Sequence, residues 1–546
     1  MILEQVVVKG YFGIRSLDLR LDRVNALIGE NGWGKSSLFN LLARVFGNGM
    51  SPCRFSAEDF YIDEETGESL THMEIRLVFR ESRTGQMERS LSFRHFRPFV
   101  QRGRDDFCRI HYHIYAQRKG TRVSTRHCFC AFDGAPIRTT RRAVSQFIAM
   151  SPVFRIRDSR MDRSKGQINY SNEWEKKISA LADKLSDDEQ DPLGLDRRSV
   201  DEGIEALSFI IGSYIPDFRE TRAMRYRSAR EIASRPLSLS AMGTLQSLFE
   251  STTRTMKLIM VIFQDAVLRA RGRRRLPRVC FPILIMSDLE SRLHPSYLMM
   301  FMNILEHVGF QKIFSTYSGD LLSCLGLSDM RRMVRDEHGD VKCYALGERA
   351  FSTDDIRRLA SHVRLTRPMS MFARVWLLVE GETEIWLMLQ LAAIAGINLQ
   401  AEGIRVIEFA QCGASPLIAF ARQFGISWHL LCDGDEAGIK YAAIAQGQLR
   451  HGQRAEDHLT KLPEADIEHF LFHNGFESVY RRESGYGDAQ NMAVNKIIER
   501  AIHRRSKPGL AINVVERADR LGPEGVPKLL RDMFQLLARL SRHPEI

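Results

Sequence analysis

Hydrophobic positions along this chain change their period, and the changes separate strands from helices. The opening stretch MILEQVVVKGYFGIRSLDLRL alternates apolar and polar residues as a strand does. Thr71 to Glu81 repeats the alternation, with Met73, Ile75, Leu77 and Phe79 on one face, and predicts a half-buried strand. Between these, the apolar run Val24, Ala26, Leu27, Ile28 is followed by Leu38, Leu41, Leu42, Val45 and Phe46 at helical spacing. A strand, a tight loop and an amphipathic helix are expected there. Further on, a long helical pattern covers Ser247 to Ala270. A buried strand is expected over Pro282 to Asp288, and a helix then leads to a second strand at Lys312 to Ser315. Segment 171–204 is polar, helical in pattern, and broken by Asp191-Pro192-Leu193-Gly194, so it reads as an exposed insertion. From Val375 strands alternate with helices, the rhythm of a parallel sheet.

These patterns predict an α/β chain in three parts, as a length of 546 residues suggests. Residues 1–368 form the first, with basic and polar insertions over about 82–235; 369–480 form the second, and 481–546 a helical extension. The boundary is placed near Ser361 to Pro368. No apolar run is long enough for a membrane span and none resembles a signal peptide. Nine cysteines without paired spacing predict a reducing cytoplasm. His127, Cys128 and Cys130 offer three zinc ligands but no fourth, so strand cysteines are the reading. The net charge of +11 is concentrated. From Phe93 to Arg142 twelve basic residues face three acids, with aromatics among them, and RARGRRRLPR runs from Arg269 to Arg278. Such surface suits a polyanion such as DNA.

The loop after the first apolar run carries the sharpest chemistry. Gly29-Glu30-Asn31-Gly32-Trp33-Gly34-Lys35-Ser36 fits G-x-x-x-x-G-K-[ST] between a strand and a helix, with Ser37 following. Its glycines let backbone N–H groups turn toward phosphates, Lys35 adds a point charge, and Ser36 offers a hydroxyl to Mg²⁺. ATP is the expected ligand. Hydrolysis needs further acids, and LIMSDLESRLHP (Leu284 to Pro295) supplies Asp288 and Glu290.

A second set of acids follows Val375. LLVEGETE puts Glu380 at the end of an apolar strand and Glu384 one helical turn on; HLLCDGDEAG puts Asp433 and Asp435 at the end of another. LPEADIEHF adds Glu468 or Asp466. Carboxylates gathered at the C-terminal ends of parallel strands are suited to share one or two hard cations, Mg²⁺ or Mn²⁺.

With these motifs in place, the first part resembles the ABC-type ATPases of the SMC and RecF kind. Leu293-His294-Pro295 and Glu290 match their second motif, while Ser287, Asp288 and Leu289 stand where two acids and a proline are usual. Asp288 would then hold Mg²⁺ or act through water as the base. The resemblance implies that Ser238, Ser240 and Gly243 in LSLSAMGTLQ reach the γ-phosphate of a partner subunit, and hence a homodimer joined through nucleotide. It also implies that Tyr317 in FSTYSGD takes the place of a switch histidine. A tyrosine hydroxyl donates well but is a poor proton acceptor, so slow hydrolysis is expected. The Glu-then-Asp-x-Asp layout resembles the Toprim domain. An ABC-type ATPase followed by a Toprim domain resembles the OLD (overcoming lysogenization defect) family of ATP-dependent DNA endonucleases. That resemblance implies a nucleotide-controlled, metal-dependent endonuclease or nickase in DNA repair or phage defence, with a non-cutting ATP-switched clamp as the rival. It further implies a lysine assisting cleavage, for which Lys507 in HRRSKPGLA is the counterpart, with Arg504 and Arg505 as competitors.

Overall fold

The structure, a computed structural model, describes residues 1–47, 50–63, 66–156, 173, 176–180, 279–287, 290, 298, 301–302, 305, 309–347, 350–486 and 492–542. Its packing divides into two compact units, Met1–Tyr344 and Ala345–Ile546. That division precedes the sequence boundary near 368. Asp288, Ser238, Ser240, Gly243, the Leu-His-Pro stretch, the polar 181–204 segment, the helical pattern Ser247 to Ala270 and the arginines 269–278 lie outside the described residues.

The opening alternation forms not one strand but a hairpin, β1 (Ile2–Tyr11) and β2 (Ile14–Arg20), turning at Phe12-Gly13. β3 (Val24–Ile28) is wholly buried. β4 (His72–Arg80) keeps the predicted face, with Met73, Ile75, Leu77 and Phe79 nearly inaccessible. β5 (Val100–Arg102), β6 (Cys108–Lys119), β7 (Arg122–Cys130) and β8 (Pro136–Ile137) carry the antiparallel sheet through the basic segment. β9 (Val153–Ile156), β10 (Ile283–Ser287), β11 (Gln311–Ser315), β12 (Met330–Arg335) and β13 (Val341–Tyr344) complete it.

The described strands of the first unit lie in the order β8-β7-β6-β4-β1-β2-β13-β12-β3-β11-β10-β9, with β5 on β6. One half is antiparallel; in the other, β12, β3, β11, β10 and β9 run parallel. The helix Lys35–Phe46 buries Leu38, Leu41, Leu42, Val45 and Phe46, and Phe46 meets Phe79 edge-on at 5.7 Å between ring centroids. A buried amide ties the two halves together. Gln311 donates to the carbonyls of Leu3 (2.7 Å) and Asp22 (2.9 Å) and accepts from Leu3 N–H (2.8 Å). Buried polar groups are tolerated only when paired in this way.

The second unit holds a parallel sheet ordered β15-β14-β16-β17: β14 (Val375–Val379), β15 (Ile404–Glu408), β16 (Ser427–Cys432) and β17 (Leu459–Lys461). Helices Glu382–Ile394, Ala414–Gln423 and Glu436–Gly447 make the crossovers. The helices Val494–Arg505, Lys507–Leu521 and Lys528–Arg542 share its core, where Leu530, Phe534 and Leu537 join Leu377 and Leu391. From β14 the chain moves outward to β15, and from β16 it moves the other way to β17. The C-terminal ends of β14 and β16 therefore flank the switch point where α/β sheets open a crevice.

Candidate functional site

In the first unit the loop from Gly29 to Gly34 takes a shape that side chains would forbid. Gly29, Gly32 and Gly34 have φ of 148°, 81° and 88°. A Cβ on Gly29 would stand 2.5 Å from the Met333 carbonyl oxygen. Lys35, nearly buried, folds back to donate to the carbonyls of Gly29 and Glu30, the latter at 2.8 Å. The motif and switch stretches meet here because Ser287 and Ser315 are register partners at the ends of β10 and β11. Tyr317 lies across the loop: Lys35 Nζ is 4.8 Å from its ring centroid, and its hydroxyl donates to Asn31 Oδ1 at 2.5 Å. Its backbone N–H donates to Glu290 Oε1 at 2.9 Å. Glu290 Oε2 is buried without a hydrogen-bond partner among the described residues. A cavity of about 420 Å³ opens over Gly32, Gly34, Lys35, Ser36 and Ser37, walled by Phe12, Phe60, Tyr61 and Arg335. The donors of the loop, the buried lysine and the orphaned carboxylate oxygen suit a magnesium-bound nucleoside triphosphate.

The second unit brings the other predicted acids together. Glu380 leaves β14; Asp433 and Asp435 leave β16, and Asp435 caps the next helix by accepting from Gly438 N–H at 2.7 Å. Two glycines permit this closeness, since a Cβ on Gly434 would lie 2.3 Å from Glu464 O and one on Gly438 2.0 Å from Asp433 O. Asp433 is pushed up to about 7 by burial and by the charges of Glu380, Asp466, Glu384 and Glu468. Glu380 is raised by burial, Asp435 and Glu384, against the pull of Lys507. Lys507 reaches in from the start of its helix, with Nζ 2.9 Å from Glu468 Oε1. Burial opposes its charge, but the bond to Glu468 prevails and its pKa is raised. Arg504 and Arg505 turn instead to Ser484 O (3.1 Å) and Glu483 Oε2 (2.6 Å). Asp466 caps its own helix and binds His469.

Among the described residues no group of three or more His, Cys, Asp or Glu side chains is spaced to hold a metal ion as it stands. In kind the donors fit a hard divalent cation: all are carboxylate oxygens, and the crowding that raises Asp433 is charge such an ion would neutralise.

Elsewhere the structure redistributes predicted residues. His127 sits on the opposite sheet face from Cys128 and Cys130, where it bonds Tyr112 (2.7 Å) and Cys53 O (2.8 Å). None of the nine cysteines is in a disulfide. Arg109, counted in the basic cluster, is consumed by Glu4 and Asp105, whereas Arg94, Arg97, Arg104, Arg126, Arg138, Arg141 and Arg142 stay exposed. Sequence reading missed Glu408, which ends β15 beside Val379 and is buried with His362 and Arg367 nearby. The signal was an acid directly after the apolar strand RVI, as at Glu380. No helix among the described residues is long and apolar enough to cross a membrane.

A family described as "Protein of unknown function (DUF2813)" matches residues 1–370, and the OLD-like TOPRIM domain ("Overcoming lysogenization defect protein-like") matches 371–435. The chain is 37% identical over 554 residues to the uncharacterized protein YbjD of Escherichia coli (strain K12), covering 99% of both chains. Among solved structures it is similar to the C-terminal region of the Burkholderia pseudomallei OLD protein, with 17% identity and a TM-score of 0.26 over 31% of this chain and 99% of that one. It is likewise similar to the SMC head domain from Thermotoga maritima, with 14% identity and a TM-score of 0.30 over 64% of this chain and all of that one. A family match to 370 residues and a relative aligned over nearly the whole length place the chain in the DUF2813 family, with an OLD-like TOPRIM domain following.

Proposed function

We propose that this protein is an ATP-binding, divalent-metal-dependent DNA endonuclease or nickase whose cutting is controlled by nucleotide. The observation that carries this reading is the gathering of Glu380, Asp433 and Asp435 at the switch point of a parallel sheet, with Lys507 paired to the neighbouring Glu468 and its charge felt at Glu380. Glu380, Glu384, Asp433, Asp435 and Glu468 would hold Mg²⁺ or Mn²⁺. When bound, the cation supplies the charge that activates water and steadies the leaving oxygen of a phosphodiester. The Lys507 ammonium would stabilise charge developing on the scissile phosphate. In the first unit Lys35, Ser36 and the loop N–H groups would hold the phosphates of ATP, with Ser37, Asn31 and Tyr317 closing the site. Asp288 and Glu290 would serve its Mg²⁺, and Ser238, Ser240 and Gly243 would reach across a homodimer. The exposed arginines of the β6 to β8 region would meet DNA backbone, in a reducing cytoplasm.

The rival is a clamp that binds DNA under ATP control without cutting. It is favoured by the absence, among the described residues, of three side chains at metal-holding spacing. Incubating supercoiled plasmid with Mg²⁺ or Mn²⁺, with and without ATP, separates the two. Nicked or linear product supports the nuclease; retardation of intact plasmid supports the clamp.

A further inference from the structure

The C-terminal edge of the four-stranded sheet carries a row of charges, of which the acids of β14 and β16 are only the middle. Beyond β17, Glu468 holds Lys507. At the opposite end, Glu408 closes β15 in register with Val379, the residue before Glu380. The chain after Glu408 stays alongside, with Phe409 N–H donating to Val379 O at 2.9 Å and Ala410 N–H to Glu380 O at 3.3 Å.

Glu408 is buried, and its Oε1 has no hydrogen-bond partner among the described residues. Arg367 faces it: Nη2 stands 3.7 Å from Glu408 Oε1 and 3.8 Å from Glu382 Oε1. Both separations exceed hydrogen-bond length, so the carboxylates attract the guanidinium without consuming its fork of donors. His362 completes the mount. Its Nε2–H donates to the Glu408 carbonyl at 2.7 Å, leaving Nδ1 to accept from Arg367 Nη1 at 3.4 Å. Burial holds that imidazole neutral by lowering its pKa. The outer partner, Glu382, is 75% exposed, so its pairing is weak and easily displaced.

A buried carboxylate and a neutral imidazole thus fix one partly exposed arginine at the rim of a crowd of acids. A nucleic-acid strand approaching those acids meets strong repulsion, and cations flanking them on both sides would offset it. Neighbouring strands lie about 4.8 Å apart, so β15 and β17 are separated by roughly 14 Å, room for successive phosphates of one strand.

We propose that Arg367 is a phosphate-binding residue for the DNA strand entering the carboxylate site, with Glu408 and His362 as its positioning residues. This rests on the nuclease reading and names how that site takes its substrate. Arg367 grips a phosphate on the β15 side while Lys507 faces the strand from the β17 side.

The test uses full-length protein with a short labelled duplex in EDTA, measuring binding against salt, and plasmid nicking with Mn²⁺. Arg367→Ala should flatten the line of log K against log [salt] by about 0.9, the share of one duplex phosphate. It should raise KM several-fold with kcat nearly kept, and Arg367→Lys should restore the slope. Because the alanine strands the Glu408 charge, the double variant Arg367→Gln/Glu408→Gln, which removes both charges, should show the same flattening. A salt slope and KM unchanged in folded Arg367→Ala and in the double variant, while wild type binds and nicks DNA, would overturn this inference alone. Wild-type protein that neither binds nor cuts DNA would overturn the nuclease reading with it.

Discussion

Asp433→Asn should make the metal-free protein more stable, although it removes a residue proposed to be essential. Asp433 sits among Glu380, Glu384, Asp466 and Glu468, and burial together with their charges lifts it from 3.8 to about 7. At about 1.4 kcal/mol per decade, that rise corresponds to an ionisation cost of about 4 kcal/mol. Solvent at the crevice and the freedom of the carboxylates to turn aside screen this to about 1–2 kcal/mol. The sign follows from linkage. A carboxyl raised in the folded state contributes stability that is fully present below its unfolded value of 3.8 and is lost as pH rises through about 7. Asparagine cannot ionise, so the variant escapes the loss. Thermal unfolding in EDTA at pH 8 should therefore show Asp433→Asn melting about 2–8 °C above wild type, at about 2–4 °C per kcal/mol for a unit of this size. At pH 5 the gap should be clearly smaller than at pH 8, because the folded wild-type carboxyl is protonated there while the unfolded one is already ionised, and it should close only as pH falls toward 3.8. Adding Mn²⁺ at pH 8 should raise wild type and leave the variant nearly unmoved. A variant less stable than wild type at pH 8, or an equal difference at both pH values, would refute the crowding of charge at this site.

Further outcomes are expected in the first unit. Glu81 is buried and accepts backbone N–H bonds from Gly85, Met87 and Cys108, each at 2.9 Å. Burial raises its pKa, but the three bonds outweigh it and the net direction is downward. Glu81→Gln should cost about 2 kcal/mol or more at pH 7 by chemical denaturation, and the gap should narrow as pH falls below the ordinary glutamate range. Gly29→Ala, which drives a Cβ against Met333 O, should abolish binding of a fluorescent ATP analogue in protein that remains folded. Lys35→Ala should lose nucleotide control of plasmid cutting while keeping basal metal-dependent cutting. With Ser287 and Tyr317 where an acid and a histidine are usual, phosphate release should show turnover below roughly 1 s⁻¹. A non-hydrolysable analogue should then modulate cutting as ATP does; an analogue without effect would show that hydrolysis drives the cycle.

The parts legible in the sequence were those whose chemistry is local. Gly29, Gly32 and Gly34 announce a left-handed loop because no other residue adopts those angles cheaply, and the structure gives all three positive φ. Glu380 and Asp433 were legible because an acid directly after a buried strand must emerge at the sheet edge. The same rule applied to Glu408 would have found it. Its partners Arg367 and His362 lie some forty residues earlier, and only the folded sheet brings them together. The period of two also sets His127 apart from Cys128 and Cys130 on opposite faces, a distinction that composition hides. The ties between distant segments were not legible. Gln311 on Leu3 spans most of the first unit, and the pairing of Glu468 with Lys507 depends on a helix returning to the sheet edge.

The central claim is that the acids at the switch point form a nuclease centre, and the most direct test is the initial rate of plasmid nicking by wild type and Asp433→Ala purified side by side in Mn²⁺. Wild type should nick at a rate that EDTA abolishes. Asp433→Ala should fall to background while binding ATP with unchanged affinity, since the acids and the glycine loop belong to different units. Equal nicking by the two proteins, free of contaminating nuclease, would contradict the assignment of the site.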